Sequence, residues 1–217
     1  MKSRSKILLS GIAAAAIAGG TVLGTLAFLT DTDEAVNVFT VGKVQIDLNE
    51  TDVDGDDDTK ANEYHLIPGT EYTKDPTVTV IAGSEEAYVR MYLTVHNYST
   101  MKELIADADN EISDFTDFLG GMDDTAWKLK AAETDSENDT ITYEYRYKAT
   151  VTGGGSDTEL EPLFKTLIIP QTLDGDELEA LYSGGFQINV EAHAIQASGF
   201  EDDEDLAWSS FAEQTGK

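Results

Sequence analysis

The stretch Tyr88-Val89-Arg90-Met91-Tyr92-Leu93-Thr94-Val95-His96 decides the fold. Val89, Met91, Leu93 and Val95 fall on one side, and Tyr88, Arg90, Tyr92, Thr94 and His96 on the other. Side chains on a strand alternate between faces, so this period of two marks a strand with one face in a core. Working outward, Ile141–Val151 repeats the pattern: Ile141, Tyr143, Tyr145, Tyr147, Ala149 and Val151 oppose Thr142, Glu144, Arg146, Lys148 and Thr150. Phe186, Ile188, Val190, Ala192 and Ala194 form a third apolar row, and Val36–Leu48, Thr77–Ala82, Trp127–Ala131 and Leu163–Ile169 are shorter candidates. Turn dipeptides separate the rows, among them Asp54-Gly55, Pro68-Gly69, Gly120-Gly121 and Asp174-Gly175. Half-buried alternating strands joined this way build antiparallel sheets.

Helical signals are short. They cover Thr100–Ala108, Ser113–Leu119, Asp174–Tyr182 and a closing Asp202–Phe211 whose acidic first turn suits the helix dipole. About seven to nine strands and no alternating strand–helix repeat predict an all-β chain, an antiparallel jelly-roll-like β-sandwich with short helical insertions. The expected organisation is a leader over residues 1–27 and one sandwich domain over 28–217, with an insertion at about 100–184.

Of the 217 residues, 42 are Asp or Glu against 14 Lys or Arg, a formal charge of −28, with 41% hydrophobic residues. Such a balance opposes binding to nucleic acid or an anionic membrane, which need cations to neutralise phosphate. The apolar share is too high for a disordered acidic tail. The absence of cysteine excludes disulfides, thiolate metal sites and cysteine nucleophiles. Lys2, Arg4 and Lys6 precede an apolar run from Ile7 to Leu29, which reads as an export signal. Its Ala and Gly content makes it a poor permanent anchor, so no stable membrane attachment is expected after cleavage. All 42 acids lie beyond that run, so the exported portion carries the charge and repels its own copies.

The junction Gly24-Thr25-Leu26-Ala27-Phe28-Leu29-Thr30-Asp31, followed by Ala35-Val36-Asn37-Val38-Phe39-Thr40-Val41-Gly42-Lys43-Val44, resembles the signal and mature start of the TasA/camelysin family. Leu66-Ile67-Pro68-Gly69, Tyr88–Leu93 and Phe186–Phe200 continue the likeness more loosely, whereas 100–184 carries none. The resemblance implies an exported protein of Gram-positive bacteria, processed by a SipW-type signal peptidase between Ala27 and Phe28. It further implies a jelly-roll subunit of extracellular biofilm fibres. Val36, Val38, Phe39, Val41, Val44, Ile46 and Leu48 would then form a strand donated to another molecule, with self or a related matrix protein as partner. A head-to-tail contact of that kind propagates into a filament when it does not close on itself. Without the resemblance, Val36–Leu48 also reads as an ordinary first strand of a monomeric surface-binding or fibre-accessory module.

Asp52, Asp54, Asp56, Asp58 and Glu63 have the spacing of calcium ligands at positions 1, 3, 5, 7 and 12 of an EF-hand loop. Asp57 replaces the loop's glycine and Lys60 occupies position 9, so a solvated turn is the competing reading, and calcium is the only cofactor suggested. Glu201–Asp205 is a second acidic run. Camelysin is associated with metallopeptidase activity, which needs a His-Glu-x-x-His helix. His65, His96 and His193 are isolated, although His96 and His193 could meet across a sheet with Glu191. No catalytic residue is expected, and the protein is read as a non-enzyme. Tyr143, Tyr145 and Tyr147 are expected in the core, and the Tyr88/Tyr92 face, with Arg90 and His96, is the expected surface platform.

Overall fold

A computed structural model describes residues 43–55, 62–200 and 203–215. Residues 42–217 form one compact unit. The strand that opened the sequence reading is its centre. Strand β4 (Ala87–His96) pairs antiparallel with β10 (Ile188–Gln196) on one side and β7 (Thr140–Tyr147) on the other. Beyond β7 lies β6 (Trp127–Asp135), which gives the order β10-β4-β7-β6. Register places apolar rows side by side: Met91 lies opposite Tyr145 and Ala192, and Leu93 opposite Tyr143 and Val190. Val89, Met91, Leu93 and Val95 are fully buried, so the alternation did report a core face. Tyr143 and Tyr145 are buried with them, as expected, whereas Tyr147 is only partly buried against the core.

The facing layer comes from shorter pieces. One sheet has the order β1-β3-β8, with β1 at Ile46–Asn49, β3 at Thr77–Val80 and β8 at Thr158–Glu159. The other has β2-β9-β5, at Glu71–Thr73, Thr166–Ile168 and Leu119–Gly120. Pro76 cannot donate to a ladder and interrupts the first chain segment. The pairing nevertheless runs on through the break: Leu163 N–H donates to the Pro76 carbonyl at 3.2 Å and Lys74 N–H to the Lys165 carbonyl at 3.1 Å. Val78, Val80, Leu163 and Leu167 from this layer share one buried cluster with the β4 and β7 rows. The described chain is thus mainly antiparallel β-sheet with few short helices, consistent with an all-β sandwich.

Among the described residues, three α-helices and two 3-10 turns accompany these strands. Helix α1 (Tyr98–Ala106) follows Asn97, which sits in the left-handed region at φ 56°, and Asn97 Nδ2 donates to the Leu181 carbonyl at 3.1 Å. That bond ties α1 to α2 (Gly175–Ser183), whose start is fixed by an Asp174/Glu177 capping box. The 3-10 turns, Ala108–Asn110 and Phe115–Phe118, contribute Phe115 and Phe118 to the main core. Segment 100–184 therefore carries β5 to β9 as well as helices. At Gly153 the Ile81 carbonyl oxygen would lie 2.0 Å from a Cβ, so only glycine permits the backbone approach there. Helix α3 (Glu204–Thr215) closes the described chain. Among the described residues no helix is long and apolar enough to cross a membrane.

Candidate functional site

The two edges of the large sheet differ. At β6 the register slips between Leu129 and Ala131, leaving Lys130 in a bulge, and nearly every residue from Lys128 to Asp135 is exposed. A bulge with lysines beside it is a common guard against edge-to-edge pairing. At β10, among the described residues, β4 is the only strand partner. Its inward row of Phe186, Ile188, Val190, Ala192 and Ala194 packs on the main core but stays half-buried, whereas the β4 row beside it is fully buried. The reason is a cavity of about 790 Å³ between that row and Leu48 and Leu66. Tyr182, 75% exposed, lies at its lining. Its polar side holds a buried ion pair, Lys74 Nζ to both Glu50 carboxylate oxygens at 2.8 Å. Burial raises the Tyr64 phenol well above its usual range, with the carboxylates of Glu50, Asp75 and Asp54 adding to the shift, so this tyrosine stays neutral.

The other face of the same sheet departs from expectation. The Tyr88/Tyr92 row is not an open platform, because α3 covers it. The Arg90 guanidinium, in a residue only 4% exposed, stacks 4.2 Å from the Trp208 ring, 4.6 Å from Tyr92 and 5.2 Å from Phe211. Its Nε donates to His193 Nδ1 at 3.3 Å, and the His193 ring stacks on Phe211 at 4.8 Å. Arg146, the cross-strand neighbour of Arg90, binds Glu144 and Asp205, each at 2.6 Å. Lys128 reaches Glu204 at 2.7 Å and Lys130 reaches Asp205 at 2.8 Å. Burial lowers the Arg90 pKa, while Tyr92 and Glu144 pull it back, so the cation persists in an aromatic and carboxylate enclosure.

Hydrogen bonds from Lys130 and Arg146 hold the Asp205 carboxyl down to about 2, from an ordinary 3.8. Because the docked value lies below the free one, the contribution to α3 docking is complete above about pH 4 and lost as pH falls through about 2. Hydrogen exchange of the α3 amides is expected to accelerate across that window in the native chain, and Asp205→Asn is expected to remove that dependence. The group is exposed, so added salt should weaken the effect.

His96 and His193 do not meet. His193 pairs in register with Arg90, and His96 lies six residues further along β4, beside Asn189 at 3.0 Å. Glu191 contacts His193 Nε2 at 3.0 Å, and among the described residues no group of three His, Asp or Glu side chains is placed to hold a metal ion. In the acidic loop, Asp52 Oδ1 accepts from Gly55 N–H at 2.7 Å and Asp54 Oδ2 from Glu63 N–H at 2.8 Å, so both carboxylates serve the turn. Asp56 and Asp58 lie outside the described residues, as do Ala27, Phe28, Val36, Val38, Phe39 and Val41. Ile46 and Leu48 are in β1, paired with Val80 and Val78, and Val44 precedes them, partly buried. The Arg90 enclosure left little trace in the sequence, since Arg90, Lys128, Lys130 and Arg146 lie on three separate strands and meet only through their register.

No family model, no curated protein and no solved structure matches this chain.

Proposed function

We propose that this chain is an exported structural protein of the extracellular or biofilm matrix, a jelly-roll-like subunit of the TasA/camelysin kind. Cleavage between Ala27 and Phe28 by a signal peptidase would free the part of the segment ahead of β1, Val36–Val41, to seat on another copy or on a related matrix protein, while Ile46 and Leu48 stay paired with β3 in their own molecule. The observation that carries the reading is the half-buried β10 row facing a 790 Å³ cavity, beside a β4 row that is fully buried. An extended chain laid there gains main-chain pairing along an edge and pockets for alternate side chains. The guarded β6 edge supports the same assignment by leaving β10 as the favourable end. The jelly-roll assignment is supported by a chain that crosses repeatedly between layers, β3 to β4, β4 to β5 and β9 to β10. No catalytic role is assigned to any residue, and calcium enters only as a weak counter-ion of the acidic surface.

The test is the mature chain starting at Phe28, compared with one carrying a few extra N-terminal residues and one lacking residues 28–41. Size-exclusion chromatography and negative-stain microscopy should reveal filaments only for the native start. Filaments of ordinary length from the truncated chain, or monomers from all three, would overturn the proposal.

A further inference from the structure

Helix α3 is held in a way that the rest of the fold does not require. Its contacts, Ala207 and Trp208 with Ile195 and the flanking Tyr88, Phe200 and Phe211, form a small cluster separate from the main core. The sheet beneath buries its opposite face against the second layer, so α3 can leave without opening the core. Its seat is also chemically unusual for this protein. Arg90, Lys128, Lys130 and Arg146 gather 4 of only 14 basic residues on one face of a chain of charge −28. The helix answers them with Glu204 and Asp205, followed by Trp208 and Phe211. The fit in place is incomplete: among the described residues, Trp208 Nε1 and Glu204 Oε1 are buried without a hydrogen-bond partner. Such orphaned groups weaken docking within one molecule and between two alike, and so ease release of the helix.

We propose that this seat also accepts the α3 helix of a second copy, so that the C-terminal helix is exchanged between molecules. Every contact made within one molecule is remade between two, so exchange sacrifices none of them. In a protein whose copies repel through their acids, the basic face is the place where a neighbour's acidic helix is attracted. The contact is separate from the groove beside β10 and does not depend on the N-terminal strand. Exchange competes with docking in the same molecule, whose effective concentration across a short connector is on the order of 1 mM, so it belongs to crowded conditions.

The chain has no cysteine, which makes cross-linking selective. Lys128→Cys and Glu204→Cys chains, each otherwise intact, are mixed and treated with a short bis-maleimide. Exchange predicts that mixed 128–204 adducts exceed the 128–128 and 204–204 adducts by about tenfold as total protein approaches ~1 mM. From an equimolar mixture, the random proportion of one 128–128 to two 128–204 to one 204–204 adduct at every concentration would overturn the proposal. A labelled peptide spanning residues 203–217 provides a measurement on the unmodified chain. It should bind in trans, bind far more weakly when it carries Trp208→Ala, and suppress exchange in excess. No binding up to the millimolar range would equally overturn the proposal.

Discussion

Arg90→Ala is expected to destabilise the protein by about 3–5 kcal/mol, the range for removing one partner from a buried charged network. For a chain of this size that is a fall of roughly 10 °C in Tm. The guanidinium fills the space among Trp208, Tyr92 and Phe211, donates to His193 and stands 3.6 Å from Glu144. Alanine leaves a void under the helix and deprives Glu144 of one of its two cations. Because the cluster beneath α3 is separate from the main core, unfolding should split into two steps, helix release first and sheets later. Urea titrations followed by tryptophan fluorescence and by far-ultraviolet circular dichroism should then cease to coincide. Two further variants test whether charge or shape dominates. Arg90→Met keeps a polarisable chain against the rings, while Glu144 retains Arg146 at 2.6 Å. Arg90→Lys keeps the charge but loses the planar stack. Methionine should therefore be the milder substitution, and the reverse order would show that net charge governs the site.

Val190→Lys is expected to abolish filament extension while sparing the fold. Val190 pairs with Leu93 in the inward row of β10 and is only half-buried, since it faces the cavity. A lysine there can run its stem along the groove and place its ammonium at the opening, so the fold loses about 1–2 kcal/mol at most. A strand seated on β10 would have to bury that charge without a partner. Glu133→Lys, on the exposed β6 edge, is the control and should leave filaments unchanged. Microscopy showing Val190→Lys filaments as long as those of the native chain would remove the groove from the assembly.

The three long alternating rows were legible in the sequence because period-two patterning is local. Val89 to Val95 and Ile141 to Tyr145 are the more apolar of each strand's two faces, and each faces the core. Cavity and cover were less legible for one shared reason: each depends on what packs against a strand from far along the chain. The row from Phe186 to Ala194 reads as apolar whether it is buried or lines a cavity. Likewise, Arg90 on a polar face reads as exposed until a helix more than 100 residues later settles over it. The acidic first turn of that helix reads as a match to the helix dipole, but its partners Lys128, Lys130 and Arg146 are neighbours only through the β6–β7–β4 register. His96 and His193 show the converse limit, since two residues on facing strands can share a surface and still be separated along its length. In the second layer β3 and β9 fall within the expected Thr77–Ala82 and Leu163–Ile169, whereas β2, β5 and β8, two or three residues each, are too short to show a period.

The slipped register in β6 has a consequence for how copies of this molecule meet. A neighbouring strand brought to that end would find its donors and acceptors out of step after Leu129, with Lys130 standing in the way. The two ends of the sheet are therefore unequivalent, like the two ends of an arrow. Whatever joins these molecules side by side through their sheets inherits a direction, and a stack of them has a distinguishable front and back.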